Sequence, residues 1–225
     1  MYFYLSHVLS PSGPVYPGNA PLKVRRQYSF EQGDPFNQCE FEMCNHIGTH
    51  LDLPAHFNPK GKTAEQIDPA EWVFHSPVML DIPKNDREFI TADDLQAAGS
   101  HIATADLLLI RTGFEAHRVD STRYVTYNPA LHPSFGEYVM KHLPRLRAVG
   151  VDVVSAGNCN HISEAIAVHR ILLGYPEASN RYVLIIEDMA LQKSPSSLKE
   201  VVVLPLIIEA MDGVPCTVLA SSENQ

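Results

Sequence analysis

His46-Ile-Gly-Thr-His50-Leu-Asp52-Leu-Pro54-Ala-His56-Phe57 gathers three imidazoles and a carboxylate into a dozen residues, at spacings of four, two and four. The even positions carry His46, Gly48, His50, Asp52, Pro54 and His56, and the odd positions carry Ile47, Thr49, Leu51, Leu53, Ala55 and Phe57. An extended segment with this period of two has one apolar face and one face of ligand-type groups, so the pattern predicts a strand or strand edge whose polar side is a site. Imidazole with carboxylate suits zinc, manganese or iron(II) and does not suit a calcium cage.

A straight strand at roughly 3.3 Å per residue would hold His46 and His50 about 13 Å apart, too far to share one ion. The chain must bend between them. Gly48 is the residue able to supply the unusual backbone angles, and Pro54 fixes the path into His56. A helix would also bring His46 and His50 together, but Gly48, Thr49 and Pro54 oppose one.

With 225 residues, 45% hydrophobic and 19% charged, the chain is long enough for one sizeable core, and residues 1–225 are expected to form a single domain. A formal net charge of −9 speaks against a nucleic-acid or anionic-membrane partner, both of which need clustered Lys and Arg. No apolar run reaches about 18 residues, so no membrane span is expected. The first ten residues lack a basic leader and soon meet Pro11, Gly13, Pro14 and Pro17, which reads as a first strand and not as a signal sequence. Cys39, Cys44, Cys159 and Cys216 form no Cys-x-x-Cys pair, which fits free thiols in a cytoplasmic protein.

Residues 22–30 and 38–44 read as strands, and 63–72 as a short helix around Ala64, Ile67 and Ala70. Trp72 and Phe74 are candidates either for a pocket wall or, more commonly for such residues, for core. From Pro77 the chain alternates strand and helix: strands at 78–82, 106–110, 148–154 and 182–187, helices at 91–98, 135–147 (broken at Pro144) and 163–173. His169 sits inside the last helix near its buried stripe, and Glu187 ends an apolar strand. On residue type alone, both have ordinary structural readings. There is no Gly-x-Gly-x-x-Gly, P-loop or Gly-x-Ser-x-Gly, so nucleotide binding and serine-hydrolase chemistry lack their parts.

His46-x-Gly-Thr-His50-x-Asp52-x-Pro54-x-His56-Phe57 resembles the signature of the metal-dependent cyclase family, which includes bacterial kynurenine formamidases and isatin hydrolases. Further segments, Arg111-Thr112-Gly113, His169 before Leu172-Leu173-Gly174, and Ile185-Ile186-Glu187, also match the family in order. The resemblance implies an α/β fold: a single compact domain with a mixed, partly barrel-like β-sheet flanked by helices, in homodimers or homotetramers. It implies one or two divalent ions, Zn2+ or Mn2+, with His46, His50 and Asp52 holding one and Asp52, His169 and Glu187 the other. His56 is then the acid/base, and Tyr16, in a Pro-aromatic-Pro-Gly turn, is a candidate for stacking on an aryl substrate. His161 is the rival of His169. Two features depart from the family: Tyr175-Pro-Glu-Ala-Ser-Asn-Arg181 resembles an insertion, and Asn19 stands where formamidases tend to have Asp.

A divalent ion lowers the pKa of its water and polarises a carbonyl. The expected reaction is therefore attack of metal-bound hydroxide on an amide carbonyl, in an N-formyl arylamine such as N-formylkynurenine or in a cyclic amide, with His56 moving the proton. A non-haem iron(II) oxygenase, a cyclising dehydratase and a non-catalytic metal-binding protein are the competing readings of the same His/Asp cluster.

Overall fold

A computed structural model of the chain describes residues 1–178 and 181–222. The strands are β1 (Tyr2–Tyr4), β2 (Lys23–Tyr28), β3 (Gln38–Glu42), β4 (His50–Asp52), β5 (Val73–Phe74), β6 (Pro77–Asp81), β7 (Phe89–Ile90), β8 (Leu107–Arg111), β9 (Ala130–Leu131), β10 (Ala148–Val151), β11 (Leu184–Glu187), β12 (Glu200–Pro205) and β13 (Gly213–Ser221). The helices are α1 (Ala92–Ala97), α2 (Ser121–Thr126), α3 (Pro133–His142) and α4 (Ile162–Leu172). The main sheet is mixed and partly barrel-like, in the order β5-β12-β13-β4-β11-β10-β8-β6, with β1 also on β13. Its β6, β8, β10 and β11 run parallel, and β4 lies antiparallel between β11 and β13.

The parallel strands are apolar on both faces because both faces are covered. On β8, Leu108 and Ile110 pack with Phe135 and Val139 of α3 and Val168 and Leu172 of α4. The alternate residues Leu107 and Leu109 face the other side, with Leu51, Ile186, Val214 and Trp72. Trp72 and Phe74 belong to this second core. The β2–β3 hairpin and the β7–β9 pair stand apart from the main sheet.

Several expected elements are shorter or differ in kind. The motif is a strand only over its middle three residues; His46 lies in the bend before β4, with Gly48 at φ 59°, and residues 54–56 form a 3₁₀ turn. The helix expected over 63–72 is instead two 3₁₀ turns, Ala64–Gln66 and Pro69–Trp72, because Pro69 cannot continue a helix and Asp68 caps the second turn through the Ala70 amide. The first strand stops at Tyr4 instead of running towards residue 10. Likewise α3 begins at Pro133 and ends at His142, short of Pro144. Strands β12 and β13, which carry the chain back beside β4, were not anticipated from the sequence. No helix among the described residues is long and apolar enough to cross a membrane. The four cysteines are unpaired.

Candidate metal centre

Strand β4 turns His50 and Asp52 to one face, two residues apart, and sends Leu51 into the core between them. Antiparallel pairing sets Glu187 of β11 opposite His50, and Gly213 of β13 opposite Asp52. The bend at Gly48 folds His46 back onto the same face, where its ring centroid lies 5.3 Å from that of His50 and 4.1 Å from that of His56. Gly213 makes room for it, since a Cβ there would lie 2.3 Å from His46 Cε1. From the opposite side, α4 delivers His169, whose ring stacks on Phe57 at 4.9 Å. His50, Asp52, His169 and Glu187 are all buried.

Hydrogen bonds set which nitrogen each imidazole presents. His50 Nδ1 donates to the Gly48 carbonyl (2.7 Å) and His169 Nδ1 to the Ala165 carbonyl (2.6 Å). Both Nε2 atoms therefore turn toward the two carboxylates. His50 Nε2 lies 3.5 Å from Asp52 Oδ1 and 3.3 Å from Glu187 Oε2; His169 Nε2 lies 3.4 Å from Asp52 Oδ2 and 3.4 Å from Glu187 Oε1. Among the described residues, buried His50 Nε2 has no hydrogen-bond partner. Ligand atoms 2.0–2.1 Å from one tetrahedral ion are roughly 3.3–3.4 Å apart, so these separations fit a shared cation better than a set of hydrogen bonds. Backbone carbonyls on the far nitrogens are the partners that orient metal-binding imidazoles.

Electrostatics point the same way. Burial alone would lower the pKa of His169, but Asp52 and Glu187 raise it to about 10, and they hold His50 well above its ordinary value. Burial and Asp52 push Glu187 upward, yet His169 and His50 bring it to about 2. Against the same burial, His169, His46 and His50 hold Asp52 well below the usual carboxylate range. Without an ion, the site is a knot of opposite charges in a low-dielectric setting, and a cation supplies what the protons otherwise must.

His46 is held differently: Nδ1 pairs with Asp52 Oδ1 at 2.8 Å and Nε2 with Asp212 Oδ2 at 3.1 Å. Burial is outweighed by Asp212 and Asp52, which raise its pKa to about 9. His56 Nδ1 shares the same Asp212 oxygen at 2.8 Å. His46 and His56 hold Asp212 well below its ordinary range. Asp212 was not among the candidates read from the sequence; it lies just before β13, 160 positions after Asp52, and no motif points to it.

Two other supports were also missed. Glu187 Oε1 accepts from the Ala156 amide at 2.7 Å and Ser155 Oγ at 3.1 Å. Next to it, buried Asp188 sits at φ 51°, held by a two-point contact with Arg118 (2.9 and 2.7 Å) and by the Tyr124 hydroxyl (2.7 Å). The Arg111-Thr112-Gly113 segment is a brace: Arg111 pairs with Asp81 at 3.0 Å, and Thr112 and Gly113 donate to Asp152.

His46, His50, Asp52, His56, His169, Glu187 and Tyr16 all line one cavity of about 280 Å3, with Phe57, Val154, Ile162 and Ile166 as its apolar wall. His161 is not among the lining residues and rests against Phe89, ring to ring at 5.0 Å. Asn19 also lines it and donates its amide to the His46 carbonyl at 3.2 Å, a bond that Asp, having no donor when ionised, could not make. In segment 175–181, Tyr175 stacks under Arg170, and Arg181 donates to the Val139, Leu143 and Leu146 carbonyls; none of its described residues lines the cavity, and Ser179 and Asn180 lie outside the described residues. A larger groove of about 810 Å3, between the β2–β3 hairpin and β12–β13, is walled mainly by apolar groups and contains no comparable ligand set among the described residues.

The Cyclase family model matches residues 3–158, more than half of the chain and all of the first motif. The chain belongs to the Cyclase family. A kynurenine formamidase from Geobacillus thermodenitrificans is 28% identical over 212 residues, covering 94% of this chain and 92% of that protein. A kynurenine formamidase from Bacillus cereus is 25% identical over 211 residues, again 94% of this chain and 92% of the relative. Among solved structures, isatin hydrolase A from Ralstonia solanacearum superposes with a TM-score of 0.83 at 23% identity, over 98% of this chain and 91% of that one. Isatin hydrolase A from Labrenzia aggregata, bound to benzyl benzoate, gives 0.84 at 21% identity, over 100% and 94%. These structures share the Cyclase fold seen here.

Proposed function

We propose that this Cyclase-family chain is a metal-dependent hydrolase of non-peptide C–N amide bonds, acting on an N-formyl arylamine or a cyclic amide. The observation that carries this reading is the convergence of His50 Nε2 and His169 Nε2, at 3.3–3.5 Å, on Asp52 and Glu187 within a cavity that also contains His56. The kynurenine formamidase relatives, similar over nearly their whole length, support the same chemistry.

In this reading His46, His50 and Asp52 would hold one divalent ion, and Asp52, His169 and Glu187 would hold a second where two are bound; zinc and manganese suit the donor set. A bound ion supplies an acidified water and a polarised carbonyl. The chain supplies the rest. Asp212 accepts a hydrogen bond from His56 Nδ1–H, which fixes the tautomer and leaves Nε2 to exchange a proton with the substrate. One water is consumed: its oxygen bonds to the carbonyl carbon, the C–N bond breaks, one water proton reaches the leaving nitrogen through His56, and the other leaves from the acid product. Tyr16 and Phe57 flank the cavity as surfaces for a flat aryl group.

The test is hydrolysis of N-formyl arylamines and lactams, followed by ultraviolet absorbance, with metal-stripped protein and with protein reloaded with zinc or manganese. Metal-dependent turnover with kcat/KM above about 10⁴ M⁻¹s⁻¹ is expected. Fully loaded protein that opens neither class of amide would overturn the reading. We also propose a homodimer or homotetramer, which the exposed Val8, Phe41, Leu204 and Leu206 around the larger groove support and sedimentation would test.

A further inference from the structure

Residues 5–9 do not line the metal cavity; they pack behind the bend that shapes it. Leu5 is tied on both sides, its amide to the Val218 carbonyl at 2.8 Å and its carbonyl to the Ala190 amide at 2.9 Å. Two residues on, the His7 amide donates to Thr49 Oγ1 at 2.9 Å, and that hydroxyl donates to the Asp188 carbonyl. Leu9 covers Gly48, where a Cβ would lie 2.2 Å from Leu9 Cδ2. The segment therefore backs Gly48 and Thr49, the two residues that carry the chain from the bend into His50.

At the His7 ring this packing is unfinished. His7 Nε2 is buried without a hydrogen-bond partner among the described residues, 3.8 Å from Glu115 Oε1. The ring meets the Met189 carbonyl through its other nitrogen, so Nδ1 carries the hydrogen and neutral Nε2 presents a lone pair. Glu115 Oε2 accepts from the Leu191 and Gln192 amides at 2.7 and 2.6 Å, which leaves Oε1 as the oxygen facing His7. Two acceptors thus oppose each other. Their separation of 3.8 Å is too long for a hydrogen bond and too short for a bridging water, which needs roughly 4.5 Å. One proton and a closure of about 1 Å would turn the contact into a hydrogen bond.

The surroundings favour a neutral, proton-sharing pair. Burial lowers the pKa of His7, with Asp188 and Arg118 acting on it in opposite senses. Burial raises that of Glu115 against the Gln192 and Leu191 amides, and Asp152 and Asp188 add to the rise. Arg111 and Arg118 also feel the Glu115 charge. Lys193 lines the cavity that both side chains border, and Tyr4 and Cys216 line the groove on the other side of His7.

We propose that His7 and Glu115 form a proton-operated latch: one shared proton draws the N-terminal segment onto Gly48 and Thr49 and holds the metal motif closed, and its loss speeds metal release. The effect on metal rests on the ligand assignment above; the latch itself does not.

Nuclear magnetic resonance of zinc-loaded protein between pH 5 and 8 follows the His7 ring, the Leu9 methyl groups and the Thr49 amide. All three should report one step with a common midpoint. Glu115→Gln gives His7 Nε2 a permanent N–H donor and should abolish the step at Leu9 and Thr49. Absence of a step in wild type, Leu9 and Thr49 signals that do not follow His7, or the same His7 midpoint in Glu115→Gln would each overturn the latch. Chelator-driven zinc release is then compared on the two sides of the midpoint. Wild type should match Glu115→Gln below it and release zinc roughly 3- to 10-fold faster above it, the worth of one buried hydrogen bond. Protonation of the ligand imidazoles has the opposite slope, faster release in acid, and cancels in the ratio of the two proteins. A ratio that stays flat across the midpoint overturns the coupling to metal. His7→Gln, which puts the permanent donor on the other partner, should show the same slow release above the midpoint as Glu115→Gln; wild-type release rates in that variant count against the proposal. Neither readout needs turnover, so failure of the hydrolase reading would leave both intact.

Discussion

His56 Nδ1 lies 2.8 Å from Asp212 Oδ2, so a residue near the end of the chain sets the tautomer of an imidazole in the first motif. Because the same oxygen reaches His46 Nε2 at 3.1 Å, one carboxylate orients both the proposed acid/base and a proposed ligand. Asp212→Asn is expected to lower kcat by about 10- to 100-fold, with KM less affected, since outer partners of metal-site imidazoles are worth about that much. His56→Ala should cost about 10²–10⁴ in kcat at unchanged metal content. Steady-state kinetics with metal analysis on both variants measures this, and wild-type kcat in either would remove the dyad from the mechanism.

Asp52 stands within 3.5 Å of His46, His50 and His169, more of the cluster than any other carboxylate reaches. Asp52→Ala should purify without metal and fail to take it up on dialysis. Elemental analysis showing a normal metal-to-protein ratio would overturn the ligand assignment.

Gly213→Ala tests the packing behind that site without replacing a ligand. The new Cβ would overlap the His46 ring, displacing it from Asp52 and Asp212. The variant should keep its far-ultraviolet circular dichroism but bind metal at least about 10-fold more weakly.

The pH dependence follows from His169 at about 10 and His46 at about 9 in the metal-free protein. Both are raised above the unfolded value of about 6.5, so their contribution to stability is complete below about pH 6.5 and is lost as pH rises through 9–10. A metal ion must displace these protons, so its affinity rises over the same window, about tenfold per pH unit for each proton expelled. Melting of metal-free protein should fall between pH 6.5 and 10, and calorimetry in buffers of different ionisation enthalpy should show proton release on loading. Metal affinity independent of pH in that range would contradict it.

Arg118→Ala should destabilise the fold by about 3–5 kcal/mol, because it strands the buried Asp188 carboxylate. For a chain of this size that is roughly 6–20 °C in Tm. Asp188 follows Glu187 directly, so metal affinity should fall as well, and thermal melting with and without metal reads both effects.

The motif was legible because its information is local. Alternation put His50 and Asp52 on one face of β4, and the reach of an extended chain required the bend that Gly48 makes at φ 59°. The parallel strands were legible from apolar runs that are buried on both faces, as on β8. What misled was a helix-like spacing of Ala64, Ile67 and Ala70, where Pro69 broke the segment into two 3₁₀ turns.

By itself, the sequence determined the α/β class and the His/Asp cluster of the first motif, because spacing and side-chain chemistry act over a few residues; His169 and Glu187 were marked only by the resemblance to the family. Only the tertiary structure decided that Asp212 serves His56, that Ser155 and the Ala156 amide anchor Glu187, and that Arg118 holds Asp188. Those partners are 31 to 156 positions apart, joined by strand register and crossover connections, and no local pattern records which distant strand will lie alongside.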